Sequence, residues 1–474
     1  MNEQEQTTIG NEMTEREQTS QRYYEKMTKT PVAKLVARLG IPTTVSMLIS
    51  GIYNMADTYF VGTLGKSATG AISILFTLQA MIQAVAFMLG HGSGTYVAKE
   101  LANRNNDKAT TYVSTAFFTG GAFGLLLSAL GLIFLAPFMR LLGSTETILP
   151  YATDYGMWVF IGCPFLIMSL VLNNNLRYEG KATYAMIGLV SGGILNILLD
   201  YVCVAVLDMG VFGAGMATAI SQVVSFVLLL IFYLRMAQST IQISAVAKNA
   251  KIYLQILSTG FPSFVRQGFN CLSSGITNHL AGTYGALLTP EIPTEGADAA
   301  ISAIGIVNRV ATLVLSVGLG IGQGLQPVAS YNYQLKEYTR VKHAVIATCI
   351  INFGVVVVVG VPMAIFAEPV VRVFNDIDLV AQVGAPALRY AMYGMMFMPL
   401  SMPICMTYQS IRKAKVATLL AMLRNGIIFI PMIFATTALF GVVGVEIAQP
   451  ISDAVSGLIS LPFLIHFLTT TPND

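Results

Sequence analysis

The sequence predicts an all-α polytopic membrane protein in which twelve transmembrane helices form two six-helix lobes related by a parallel pseudo-two-fold repeat. Three observations predict it. The chain of 474 residues is 54% hydrophobic and only 11% charged, with a mean hydropathy of +0.67, whereas soluble domains carry about 25% charged residues. Apolar runs of about 20 residues or more, long enough to cross a bilayer, recur along the chain. The two halves also match each other in order.

Residues 1–30, "MNEQEQTTIGNEMTEREQTSQRYYEKMTKT", are polar and lack an apolar core. That excludes a signal peptide and predicts a disordered cytoplasmic tail. The N-terminal lobe, 31–236, follows with spans at 33–61, 69–98, 110–136, 149–174, 183–206 and 210–235. A cytoplasmic linker at 237–251 leads to the C-terminal lobe, 252–467. Its spans lie at 252–284, 299–332, 343–367, 387–410, 416–438 and 441–467, before a tail at 468–474. Pro399 and Pro403 are expected to kink span 10, and Pro42, Pro164, Pro262, Pro327 and Pro431 to mark similar breaks. With both termini in the cytoplasm, twenty of the 27 Lys and Arg fall on that side. This is the positive-inside asymmetry. The net charge of +3 argues against a nucleic-acid partner. The five cysteines lie in apolar runs without metal-ligand spacing and read as packing residues.

The internal repeat is read from five ordered matches. "GIP" at 40–42 answers "GFP" at 260–262, and "VGTLG" at 61–65 answers "AGTYG" at 281–285. "LGHGSG" at 89–94 pairs with "LGIGQG" at 319–324, and "APFMRLL" at 136–142 with "EPVVRVF" at 368–374. "GVFGAGMATAIS" at 210–221 pairs with "GVVGVEIAQPIS" at 441–452. Six spans per half give both halves one orientation, the geometry of lobes that face each other across a path.

Carboxylates inside a membrane are costly and point to function. Asp57, Asp200, Glu446 and Asp453 fall within spans, as does Asp154 at the end of span 4. At 1.5 Å per residue, Asp57 lies about 6 Å below the outer end of span 1 and Asp200 about 9 Å below that of span 5. Asn196 comes one turn deeper than Asp200, Thr218 about 12 Å down span 6, and Asn54 about 11 Å down span 1. Asp57, Asn196, Asp200 and Thr218, with Asn54 as a further candidate, thus reach one shallow slab of the first lobe. Hard oxygen ligands suit Na⁺, and two close carboxylates repel, which favours uptake of a cation or a proton. In the second lobe, Asp453 is expected to pair structurally with Arg266 or Arg309, and Glu446 to lie near the hydrated surface. Gln79, Gln83 and Arg266, with Met392, Met395, Met396 and Met398 of the methionine-rich span 10, are candidates for a substrate cavity, since methionine surfaces adapt to varied apolar shapes.

Four stretches carry a family likeness: "DTYFVGTLG" from Asp57, "LRYEGKA" from Leu176, "QPVASYNY" from Gln326 and "YQSIRKAKVATLLAMLRN" from Tyr408. They resemble the multidrug and toxic compound extrusion (MATE) family, in its MepA-type and DinF-like bacterial branch. The resemblance implies a secondary active exporter, not an enzyme. It would expel organic cations and other amphipathic drugs against inward Na⁺ or H⁺ across the bacterial inner membrane. It implies no cofactor beyond the coupling ion, lipid surroundings and no obligate protein partner. DinF-like relatives show an Asp on span 1, Asn-x-x-x-Asp on span 5 and Thr on span 6, which Asp57, Asn196, Asp200 and Thr218 match. The alternatives are a lipid-linked saccharide flippase of the same superfamily, for which Arg266, Arg309 and Arg424 could serve a pyrophosphate, and a passive channel or receptor.

Overall fold

A computed structural model describes residues 17–472, the Lys66 side chain excepted, and every regular element among them is helical. Ten helices are individually long and apolar enough to cross a membrane. The other two crossings are Ala250–Gly285, diluted by polar residues, and a span split into Asp378–Met395 and Met398–Ser410. The split falls just ahead of Pro399, as expected from the missing amide and fixed backbone of proline. Pro42, Pro164, Pro262 and Pro327 behave otherwise and sit inside unbroken helices, where neighbouring helices tolerate the freed carbonyl. Pro431 follows a π-helical segment, Leu423–Ile427, and cannot donate to the Ile427 carbonyl one turn back.

The repeat is visible in the packing. In the first lobe, span 4 (Leu149–Tyr178) packs on span 2 (Lys66–Ala102) and span 6 (Gly210–Met236), while span 1 (Val32–Gly62) packs on span 5. In the second, span 10 packs on span 8 (Pro293–Gln334) and span 12 (Val442–Thr470), while span 7 packs on span 11. Both third spans end in a short helix, Leu135–Leu141 and Ala367–Phe374, formed by the matched "APFMRLL" and "EPVVRVF".

The lobes meet through a reciprocal pair of contacts, span 1 on span 8 and span 2 on span 7. The matched glycine motifs make these contacts. A methyl group on Gly40 of "GIP" would stand 2.8 Å from the Ile321 Cα in "LGIGQG". One on Gly92 of "LGHGSG" would stand 3.2 Å from the Gly260 nitrogen of "GFP". Only glycine permits backbones this close. Gly40, Gly92, Gly260 and Gly320 all lie in the half of the bundle nearer the two ends of the described chain, and polar bonds between the lobes reinforce the seam there. Ser330 donates to the Thr95 carbonyl (2.9 Å), and Gln334 Nε2 to Asn103 Oδ1 (3.1 Å).

The expected disordered tail is corrected in part. Residues 1–16 lie outside the described residues, but 17–29 form a helix. Tyr23 and Met27, one turn apart, bury one face of it, and Glu25 and Lys29 pair on another (2.9 Å). Two buried side chains in a polar stretch leave too narrow a stripe for composition to show. At the other end, span 12 runs on to Thr470, and residues 473–474 lie outside the described residues. The linker is fastened to the first lobe by Glu179. Its buried carboxylate accepts from the Tyr233 hydroxyl (2.9 Å), from Ser239 and from the Gln238 amide.

Candidate functional site

The stretch "GGILNILLD" builds the site. Gly192 faces Ser225 and Ser221 of span 6, and Gly193 faces Ile49 and Tyr53 of span 1. Paired glycines thus let span 5 (Ala182–Asp200) lie close to two neighbours at once. Asn196 and Asp200 follow Gly192 at one-turn intervals, so they share its face. A π-helical segment, Tyr201–Val206, begins at the residue after Asp200. It contains no proline, and π segments of this kind recur at functional sites.

A directed chain of hydrogen bonds crosses the site. Asn196 Nδ2 donates to Thr218 Oγ1 (3.2 Å), Thr218 lies 3.0 Å from the Tyr155 hydroxyl, and Tyr155 donates to Asp57 Oδ2 (2.7 Å). With its proton committed to Asp57, Tyr155 accepts from Thr218. Four acceptor oxygens are left with no donor: Asp57 Oδ1, Asn196 Oδ1 and both oxygens of Asp200. All four are buried, Asp57 at 2% exposure and Asp200 at 0%. No lysine or arginine pairs with either acid among the described residues. Unsatisfied buried carboxylate oxygens are expensive, and a bound cation or proton offsets that cost. Asn54 is half-buried one turn before Asp57 on span 1, and the Thr58 hydroxyl donates to its backbone carbonyl (2.8 Å).

Tyr155 was not among the sequence candidates. Its depth was the available signal: six residues into span 4, about 9 Å from the end remote from the chain termini, it shares the slab of Thr218 and Asp57.

The second lobe presents the opposite chemistry. A cavity of about 170 Å³ is lined by Asn270, Thr277, Asn308, Met395, Arg424, Glu446, Gln449 and Asp453 among others. Thr277 and Gln449 are the repeat partners of Asp57 and Thr218. The expected pairing of Asp453 is corrected: its carboxylate binds neither Arg266 nor Arg309 but Arg424, through Nε (2.7 Å) and Nη2 (3.2 Å). Gln449 adds a third bond at 2.7 Å. Arg424 lies on span 11 facing span 12, whereas Arg309 is exposed and Arg266 keeps a buried Nη1 without an acceptor. Glu446 is buried at the cavity wall and not at the surface.

The proposed substrate residues are dispersed. Met395 lines this cavity, while Met392 and Met398 belong to the second-lobe core, Met398 filling the space beside Gly318. Met396 packs against that core, Gln79 is buried on span 2 and Gln83 is half-buried one turn on.

The MatE family model matches residues 42–202 and 295–435, more than half of the chain and corresponding parts of both lobes. The chain belongs to the MatE family. These are multidrug efflux transporters, and the likeness carried by the sequence motifs is thereby shown. The chain is 25% identical over 444 residues to the multidrug export protein MepA of Staphylococcus saprophyticus, covering 93% of this chain and 94% of that one. It is 26% identical to MepA of Staphylococcus aureus over 443 residues, again 93% and 94%. An outward-facing multidrug resistance MATE family transporter superposes with a TM-score of 0.85 at 22% identity, covering 95% of this chain and 98% of that chain. This MatE fold is therefore that of a multi-pass membrane transporter.

Proposed function

We propose that this MatE transporter is a secondary active exporter that expels organic cations and other amphipathic drugs in exchange for inward Na⁺ or H⁺. The observation that carries this reading is the set of four donorless oxygens on Asp57, Asn196 and Asp200, held in the first lobe by the Tyr155–Thr218 chain. A carboxylate pair with no protein cation to neutralise it has a stake in which state of the transporter lets an ion reach it. The seam between the lobes is closed at the end bearing the termini, so an ion entering from the opposite side meets Asp57 and Asp200 about 6 to 9 Å down. Loading lowers the negative charge of the pair and lets spans 1, 5 and 6 repack, with the π segment after Asp200 as the adjustable element. The lobes then rock, release the ion on the other side and reload with drug. In this reading both termini are cytoplasmic and the membrane is the bacterial inner membrane.

The test is efflux of a fluorescent organic cation from cells expressing the parent protein or Asp200→Asn at matched levels. Efflux by the parent that is lost in the variant supports coupled export, and separate Na⁺ and pH gradients then identify the ion. Efflux that survives the substitution reduces Asp200 to a packing residue. Absence of efflux in the parent turns the assignment toward a lipid-linked saccharide flippase.

A further inference from the structure

Alternation between two open states requires the lobes to separate at the seam of span 1 with span 8 and span 2 with span 7. The helix over 17–29 crosses that seam. It precedes the segment matched by the family model, which begins at residue 42. It is covalently continuous with span 1 and is held to the first lobe at two further points. Tyr23 donates to the Tyr178 carbonyl and Lys26 to the Gly180 carbonyl, each at 2.7 Å. Gly180, with φ +73°, turns the chain there, and a side chain at that position would collide with the Tyr23 ring.

The other side of the helix is held by the second lobe. Tyr331 of span 8 meets the Tyr23 ring edge-on, with centroids 5.0 Å apart. Asn332 Nδ2 donates to the Met27 carbonyl (3.3 Å). Arg340, at the start of span 9, donates to the carbonyls of Met27 (3.0 Å) and Thr30 (2.8 Å). These carbonyls lie at and just past the C-terminal end of the helix, the position at which a cation also complements the helix dipole. Tyr23 and Met27 are buried by this double attachment.

We propose that helix 17–29 is a strap that fastens the two lobes together at the end bearing the termini, favouring the state in which that end is closed, and that it must release the second lobe before that end opens. The inference rests on the alternating-access reading above but not on the identity of drug or ion. Release breaks the Arg340 and Asn332 bonds and the Tyr23–Tyr331 contact, while the covalent link to span 1 retains the helix.

The test uses the full-length protein in proteoliposomes and the thiol reporter Ser330→Cys. Ser330 is fully buried at the seam, bonded across it to Thr95. Alkylation of that one peptide, followed by mass spectrometry, counts openings of this end whether or not anything is transported. Arg340→Gln and Asn332→Leu are the informative backgrounds, each removing hydrogen bonds between the helix and the second lobe while preserving most of the side-chain volume. Each is expected to raise the alkylation rate about fivefold, the worth of one typical hydrogen bond. Removal of residues 1–28 is expected to raise it further. Unchanged rates in both point variants overturn the strap, even where the truncated chain does not fold. Efflux that survives Asp200→Asn with fast alkylation in Arg340→Gln would leave the strap standing alone, and lost efflux with unchanged alkylation would leave the coupling site standing alone.

Discussion

The Tyr155 hydroxyl donates to Asp57 Oδ2 at 2.7 Å, tying span 4 to the carboxylate on span 1. The same oxygen receives Thr218 of span 6, so one phenol links three spans around the acidic pair. Tyr155→Phe removes this link and leaves the Asp57 carboxylate with no donor at either oxygen. A lost hydrogen bond to a charged group is worth about 1.5–3 kcal/mol. The variant is expected to fold, since the ring stays in place, but to show a roughly tenfold or larger change in apparent affinity for the coupling cation. Efflux measured against a titrated Na⁺ or pH gradient reads that shift. An unchanged titration removes Tyr155 from the site.

The second lobe should respond to substitution as a packing element. Arg424 and Asp453 form a two-point ion pair with little exposure. Removing one partner of such a pair leaves a buried charge and costs about 3–5 kcal/mol, whereas replacing both with apolar residues is often neutral. Arg424→Met is therefore expected to lower the melting temperature markedly, and Arg424→Met with Asp453→Leu to recover most of the loss. Restored stability with efflux per folded molecule near the parent level fits a structural pair. Restored stability with abolished efflux assigns the pair a part in transport.

The sequence carried much of this and missed identifiable parts. Span positions were legible because a bilayer demands long apolar runs, and the repeat was legible because matched glycines survive where backbones touch. Depth along each span placed Asp57, Asn196, Asp200 and Thr218 in one slab, and the structure joins Asn196 and Thr218 directly and Asp57 to Thr218 through Tyr155. What depth cannot supply is rotation about each helix axis. Asp453 therefore looked equally able to reach Arg266 or Arg309, yet it faces Arg424. The same gap hid Tyr155, one of several aromatics in span 4. The strap was hidden for a different reason: two buried side chains in thirteen polar-rich residues change no average.

The glycine seam predicts a conformational effect of a single methyl group. In an exposed helix, Gly→Ala stabilises by up to about 1 kcal/mol. At Gly40 the added carbon would press on the Ile321 backbone of the other lobe, and overpacking of this kind costs about 1–3 kcal/mol. That penalty is relieved when the seam parts. Gly40→Ala is expected to speed alkylation of Ser330→Cys. Gly268→Ala, where the added carbon meets nothing within 4 Å, is the matched control and should leave the rate unchanged. Equal rates in both would show that the seam yields without separating.

Docking of the strap should depend on pH with a defined sign. Lys26 lies outside the membrane spans, and burial, with the positive charges of Arg38 and Lys181 nearby, lowers its ammonium from 10.5 to about 8. Lifting of the helix off the first lobe, which carries Gly180, Arg38 and Lys181, restores the ordinary value, so docking on that lobe releases a proton. Docking is therefore favoured as pH rises from about 8 towards 10.5, and is insensitive to this group below about 8. The neutral amine still donates to the Gly180 carbonyl. A distance measurement between spin labels at Arg22→Cys on the strap and Arg235→Cys on span 6 should show the short-distance population growing over that window. Lys26→Met, which cannot titrate, should flatten the profile. A population that falls with rising pH would mean that the charged ammonium, and not the neutral amine, holds the strap to Gly180.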